Sequence, residues 1–239
     1  MCSFKMKKLK FKPKAIIFDM DGVIVDSMPY HFLAWYEALR PWGVRVSCFD
    51  VYSREGERWD KTLKSLLRRT KIKPTEAVLG KIFSARQKIF KNNFKRFIFK
   101  GVEEFLLCLR GKGYLLGLVT GTPDREIREI LPQRIEGLFD TIIAGNQVKH
   151  GKPHPEPYLK AALSLGLRSE ECVVVENAPL GIESAKRAGM FCIALATSLP
   201  EEYLKEADIV VNELEEIIGI IDKSCRLQRK SRPVPANKI

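Results

Sequence analysis

Short apolar runs alternate with helix-patterned stretches along most of this chain, and that alternation restricts its fold more than any other feature. Apolar runs of strand length fall at 14–18, 114–119, 140–143, 172–175, 191–195 and 208–211. Helical spacing is read between them at 102–110, 123–131, 156–165, 179–188, 200–206 and 213–221. Parallel neighbours need a crossover of helix length, so this order predicts an α/β, Rossmann-like parallel sheet with helices on both faces. One stretch departs from the pattern. Residues 29–40, 59–69 and 75–96 have helical spacing (Leu63, Leu66, Leu67, then Val78, Leu79, Ile82, Phe83) with no strand between them. Pro29 suits a first helical turn and Ser27 is placed to cap it. The expected organisation is an α/β core at 14–33 and 101–222, a small helical insert at 34–100, and basic tails at 1–13 and 223–239.

The formal net charge of +12 invites a nucleic-acid reading, but its distribution does not support one. Residues 1–14 and 223–239 carry six basic residues each and no acid; the body between them is balanced at 29 of each sign. Within the body, 34–100 is net +11 and the rest net −11. A basic face beside an acidic site suits an anionic substrate and a cation. The tails lack interleaved aromatics beyond Phe4 and Phe11, so stacking on bases is not expected, and solvated, partly disordered ends are. No apolar run approaches the roughly 18 residues of a membrane span. The six cysteines show no CxxC or metal-ligand spacing, so reduced thiols are expected in a soluble, cytoplasmic monomer.

In a parallel α/β sheet, ligands bind at the C-terminal ends of the strands. Asp19-Met20-Asp21-Gly22 follows the first apolar run, Thr120-Gly121-Thr122 the second, Lys152-Pro153 comes in the loop after the third, and Glu176-Asn177-Ala178 follows the fourth. Paired carboxylates can share Mg²⁺, which takes hard oxygen ligands. A carboxylate facing a phosphoryl group is a competent nucleophile, and a second can move a proton. Thr120 and the neighbouring backbone N–H groups can hold phosphoryl oxygens, and Lys152 supplies the positive charge that phosphoryl transfer needs.

Phe18-Asp19-Met20-Asp21-Gly22-Val23, Thr120, Lys152 and Glu176-Asn177 resemble, in order and spacing, the four motifs of the haloacid dehalogenase-like superfamily. The resemblance spans about 14–211, and Gly151-Lys152-Pro153 with Pro155 supports it. The insert matches the helical cap of the β-phosphoglucomutase and phosphoglycolate phosphatase branch. The resemblance implies that Asp19 is the nucleophile, through an aspartyl-phosphate, and Asp21 the general acid/base. Mg²⁺ would be held by the Asp19 side chain, the Asp21 backbone carbonyl and the fourth motif, Glu176 and Asn177. An acid at Asp21 implies a phosphatase or phosphomutase and not a dehalogenase. Relatives with this cap commonly read Glu-Asp-Ser where this chain reads Glu176-Asn177-Ala178, which costs the metal site a charge.

His31 and Arg54 are the substrate-side candidates, with Thr120, Gly121 and Thr122 on the phosphate. His31 matches a position near the substrate in β-phosphoglucomutase, and Arg54 could fork onto a distal anionic group; Arg86 and Lys88 are weaker candidates. The leading expectation is a Mg²⁺-dependent phosphatase of a small phosphorylated metabolite, of sugar-phosphate or phosphoglycolate type. The alternative is a β-phosphoglucomutase-like phosphomutase. Less favoured are a non-catalytic relative and a nucleic-acid or membrane-surface binder working through the tails.

Overall fold

The computed structural model describes residues 8–68 and 70–231, the last nine as backbone. In chain order the elements are β1 (Ala15–Asp19), α1 (Met28–Leu39), α2 (Cys48–Tyr52), α3 (Trp59–Leu67), α4 (Glu76–Asn93), α5 (Val102–Gly111), β2 (Leu115–Val119), α6 (Asp124–Ile130), α7 (Gln133–Glu136), β3 (Thr141–Ile143), α8 (Glu156–Ser164), β4 (Cys172–Glu176), α9 (Pro179–Arg187), β5 (Phe191–Leu195), β6 (Ile209–Val211) and α10 (Leu214–Ser231). The six strands form one sheet, ordered β3-β2-β1-β4-β5-β6, with every pairing parallel.

Strand periodicity explains the layers. Along β1, Ile16 and Phe18 point to one face and join Val102, Phe105 and Leu106 of α5 and Ile217 of α10. Ala15 and Ile17 point to the other and join Tyr158 and Ala161 of α8 and Ile182 and Ala185 of α9. A central strand buried on both faces reads as a continuous apolar run, as Ala-Ile-Ile-Phe does. Each large side chain so buried contributes about 1.5–3 kcal/mol. A separate cluster lies in the helical insert: Trp35, Ala38 and Leu39 of α1 pack on Val51 of α2, Leu63 and Leu67 of α3, and Leu79 and Ile82 of α4.

The order reverses at β1, whose chain neighbours β2 and β3 lie on one side and β4 to β6 on the other. The crevice at the C-terminal ends of β1 and β4 is therefore the switch point where α/β sheets bind ligands.

Several expectations are corrected. The helix read at 200–206 is a single 3₁₀ turn, Glu201–Tyr203. The short helix α2 was not anticipated, although Ser47 and Asp50 form a reciprocal capping box at its start. The N-terminal tail is not wholly solvated: Leu9 is buried and Phe11 packs edge-on against Phe191. At the other end, α10 continues to Ser231. Residues 1–7 and 232–239, the outer parts of both basic tails, lie outside the described residues. Among the described residues no helix is long and apolar enough to cross a membrane.

Candidate active site

Asp19 closes β1 and Asp21 lies in the turn that follows; both are 1% exposed. The turn is tight because Ile24 and Val25 N–H both donate to the Met20 carbonyl, and Gly22 N–H donates to the Val25 carbonyl. Gly22 has φ 83°, and a Cβ there would stand 2.0 Å from Asn177 Nδ2. Only glycine satisfies both demands.

The surroundings of Asp19 come from the sheet and its loops. Lys152 Nζ donates to Asp19 Oδ1 at 2.5 Å and to Glu176 Oε1 at 2.6 Å. Tyr158 Oη donates to the same Glu176 oxygen at 2.8 Å, and Glu176 Oε2 accepts from the backbone N–H of Asn177 and Ala178. Glu176, expected as a metal ligand, is thus placed as the support of Lys152, with hydrogen bonds on both oxygens. Burial opposes the charge on Lys152, but Asp19 and Glu176 outweigh it and hold the ammonium above the usual lysine range. Burial pushes the Asp19 carboxyl up to about 8; Lys152 pulls against this, while Glu176 and Asp21 add to it.

Asp21 has a different set of neighbours. Ser27 Oγ donates to its Oδ1 at 2.5 Å and His31 Nε2 to the same oxygen at 3.1 Å. Thr120 Oγ1 donates to Oδ2 at 3.3 Å, with Thr122 Oγ1 at 3.5 Å. Burial alone would raise the Asp21 carboxyl, but His31, Ser27 and Thr120 together bring it below the usual range. Arg86 Nη2 donates to His31 Nδ1 at 2.5 Å. A guanidinium cannot accept, so His31 is the neutral tautomer carrying its proton on Nε2; burial favours that form by lowering the imidazole pKa. The imidazole stacks on Phe90 at 4.6 Å.

The helical insert lies directly on this edge. The backbone at Glu57 bridges to Lys152, and Arg58 Nη1 donates to the Lys149 carbonyl at 3.4 Å. On α4, Gln87 donates to Glu126 at 3.0 Å and Lys91 to Glu129 at 3.2 Å. Glycines allow the approach: a Cβ on Gly121 would lie 3.3 Å from Gly56 Cα, and behind it, between two loops of the sheet, one on Gly145 would lie only 2.0 Å from the Gly121 carbonyl oxygen. A cleft of about 320 Å³ remains between insert and sheet, lined in part by His31, Arg54, Glu55, Trp59, Arg86 and Thr122. Arg54 is paired there with Glu57 at 3.4 Å. The Glu55 carboxyl is pushed well above the carboxylate range by burial first, then by Asp21 and Asp19.

The structure therefore gathers Asp19, Asp21, Thr120, Thr122, His31, Lys152, Glu176 and Asn177 at one edge, with Gly121 against Gly56 and Arg54 across the cleft. Ser27, Tyr158 and Ser198 are additions. Ser27 makes no side-chain cap bond on α1, because its hydroxyl is given to Asp21. Ser198 Oγ accepts from Asn177 Nδ2 at 3.0 Å, and Thr197 Oγ1 donates to the Gly22 carbonyl at 2.5 Å. Thr197-Ser198 follow β5, so the strand-end rule, extended by one strand, would have found them.

Among the described residues, two buried side-chain oxygens have no hydrogen-bond partner: Asp19 Oδ2 and Asn177 Oδ1. With Asp19, Asp21 and Glu176 against the single ammonium of Lys152, the buried site carries an excess of negative charge. Unsatisfied hard oxygens in a negative site fit a divalent cation.

Sheet and site define an α/β enzyme working at strand ends. The family described as haloacid dehalogenase-like hydrolase matches residues 13–189, and the chain belongs to it. The chain is 31% identical over 219 residues to the phosphorylated carbohydrates phosphatase of Thermotoga maritima, covering 87% of this chain and 98% of that protein. It is 28% identical over 212 residues to the β-phosphoglucomutase of Bacillus subtilis, covering 85% and 91%. A solved structure of a candidate β-phosphoglucomutase from Bacteroides vulgatus superposes with TM-score 0.81 at 30% identity, covering 90% and 91%. Phosphoric monoester hydrolysis is the enzyme class that this membership and the phosphatase relatives support.

Proposed function

We propose that the protein is a Mg²⁺-dependent phosphatase that hydrolyses a small phosphorylated metabolite, of sugar-phosphate or phosphoglycolate type, through an aspartyl-phosphate on Asp19. The observation that carries this reading is the division of labour between the two aspartates: one faces a lysine and keeps an unpartnered oxygen, the other is held by a relay of hydroxyls and imidazole. Asp19 Oδ2, Asn177 Oδ1 and the Asp21 backbone carbonyl would hold the cation. Bound there, Mg²⁺ supplies positive charge to the transferring phosphoryl group.

The protein's own groups do the rest. Asp19 Oδ1 attacks phosphorus as the bond to the leaving oxygen breaks, and Lys152 offsets charge on the nucleophile and the phosphoryl group. Asp21 passes a proton to the leaving oxygen. It then takes one from the water that attacks the aspartyl-phosphate, which returns it to the protonated form that the first step uses. Thr120 aligns Asp21, and the insert keeps bulk water from the intermediate. A phosphomutase uses the same first half, and the 28% identical B. subtilis β-phosphoglucomutase keeps that second reading in view.

The test is Mg²⁺-dependent phosphate release from a panel of phosphorylated metabolites. The panel includes β-glucose 1-phosphate with a trace of the bisphosphate, followed for glucose 6-phosphate. Release is expected, and Asp19→Asn should lower it by about 10⁴-fold or more. Isomerisation without release would favour the mutase. Release undiminished in Asp19→Asn would remove the assignment.

A further inference from the structure

Two of the chain's three histidines stand four residues apart, one on either side of Lys152, in His150-Gly151-Lys152-Pro153-His154-Pro155-Glu156. The phosphatase chemistry uses neither. Lys152 points inward and is 2% exposed, whereas the His150 side chain is 46% exposed. The loop folds the outward side chains together. A ring nitrogen from each histidine and a carboxylate oxygen of Glu156 all lie within 4.8 Å of one another. The ring centroids are 4.6 Å apart, with the planes 35° from parallel, and His150 Nδ1 is 2.9 Å from Glu156 Oε2. Backbone hydrogen bonds hold the group in place. Glu156 Oε1 accepts the Lys149 N–H at 2.7 Å, and Oε2 accepts the His150 N–H at 2.9 Å. Ser184 Oγ of α9 donates to the His154 carbonyl at 2.7 Å, and Lys160 Nζ of α8 donates to the Gln147 carbonyl at 2.6 Å. The main chain is thus tied on both sides of the histidines.

The donors are of the right kind for a cation. An ionised carboxylate has about four lone-pair sites, and backbone N–H groups take two of those on Glu156. His154 Nδ1 accepts the Glu156 N–H at 3.2 Å, so that nitrogen carries a lone pair and not a proton. Two imidazoles and a carboxylate suit Zn²⁺ and its first-row transition-metal neighbours; Mg²⁺ prefers oxygen alone. Zn²⁺ bonds of about 2.0–2.2 Å set tetrahedral ligands about 3.3–3.6 Å apart, so the three atoms need to close by about 1.5 Å at most, which rotation of exposed rings supplies. Water can take the fourth position.

We propose that His150, His154 and Glu156 form a second cation site, for Zn²⁺ or a neighbouring transition metal, which clamps the loop that delivers Lys152 to Asp19. His150 and His154 each lie two residues from Lys152. The insert also rests on this loop, through the Glu57 bridge to Lys152 and through Arg58 on the Lys149 carbonyl. A cation shared by residues 150, 154 and 156 joins both arms of the loop to the first turn of α8 and holds the backbone of Lys152 between them. It replaces the proton that His150 Nδ1 and Glu156 Oε2 share, and that proton goes to solvent. The site is separate from the Mg²⁺ of the phosphatase reading and stands whether or not that reading does.

The experiment uses the full chain, stripped of metal with a chelator and returned to excess Mg²⁺. Calorimetry with Zn²⁺ should show one site of micromolar or tighter Kd for which Mg²⁺ does not compete. Zn²⁺ at about a hundred times Kd should raise the melting midpoint by about 5 °C. It should also slow amide exchange across 149–154 by about ten-fold or more. His154→Asn keeps an acceptor for the Glu156 N–H, so the metal-free melting midpoint should stay within about 2 °C. The same variant should weaken Zn²⁺ by about a hundred-fold or more, since even loss of an outer-shell partner costs about ten- to hundred-fold. Asp19→Asn should leave Zn²⁺ binding unchanged. Binding that Mg²⁺ displaces, or that survives His154→Asn and is lost in Asp19→Asn, puts the cation at the strand ends and overturns the proposal. A millimolar Kd overturns it as adventitious binding to exposed imidazoles. Tight binding that leaves exchange across 149–154 unchanged removes the clamp.

Discussion

The sheet edge around Asp19 and the helical face around Asp21 treat two equally buried carboxylates in opposite ways. Asp19 is served by Lys152 and Glu176, which arrive on a loop and a strand of the sheet, with Tyr158 of α8 behind them. Asp21 is served by Ser27 and His31 at the start of α1 and, through His31, by Arg86 of α4. Burial raises the first and is overcome in the second. The Asp19 half of the site is therefore built into the sheet. The Asp21 half depends on where the insert lies.

Breaking the sheet half should have the larger effect on folding. Lys152→Ala leaves Asp19 and Glu176 as uncompensated buried carboxylates, and the expected loss is about 3–5 kcal/mol, read as a lowered midpoint in urea. A stability change under about 1 kcal/mol would mean that the pair is solvated in solution.

Breaking the insert half should cost turnover and leave folding little changed. Arg86→Ala removes the donor that fixes the His31 tautomer, so kcat should fall about ten- to hundred-fold, part of what a general acid/base contributes. Arg86→Lys should restore some of it, and Mg²⁺ affinity should stay within two-fold. A rise in KM with kcat intact would make Arg86 a binding group only.

A smaller effect is expected where the two halves meet. Ser198 orients the Asn177 amide so that Oδ1 faces away from Nδ2 and its acceptor. Ser198→Ala should weaken Mg²⁺ binding about ten-fold, as loss of an outer-shell partner does, read by calorimetry or by the thermal shift that Mg²⁺ gives. In an Asn177→Asp background the loss should shrink, because a carboxylate presents an oxygen in either orientation. Equal losses in both backgrounds would make Ser198 a packing residue.

The least effect is on stability against pH. Burial lowers the His31 pKa below its ordinary value of 6.5. The unfolded chain then binds the proton more readily, so stability is full above pH 6.5 and is lost as the pH falls through the lowered folded value. His31→Gln should flatten that acid-side slope in denaturation midpoints taken between pH 7 and 5.

These contrasts mark what the sequence could carry. The strand-end rule located Asp19, Asp21, Thr120, Lys152 and Glu176 because a parallel sheet puts those positions at one edge whatever the side chains are. It could not say that Glu176 would hold Lys152 as well. That depends on Tyr158 reaching Glu176 from the facing helix, a contact with no trace in spacing. Ser27 was read as a helix cap because a hydroxyl before Pro29 has that local use; a carboxylate six residues back competes for the same proton. The pairing of Arg54 with Glu57 needed the α2–α3 turn, and a helix as short as α2 gives too few residues for a period to show.

The stacked glycines at 56, 121 and 145 have a consequence for how such an enzyme can change. Where the insert meets the sheet there, main chain touches main chain, so the seating of one on the other is fixed by atoms common to every residue. Glu55, Glu57 and Trp59 hang from that joint without forming it. Their replacement can redraw the catalogue of accepted leaving groups while the joint keeps its register, and an altered enzyme would inherit a working mechanism along with a new appetite.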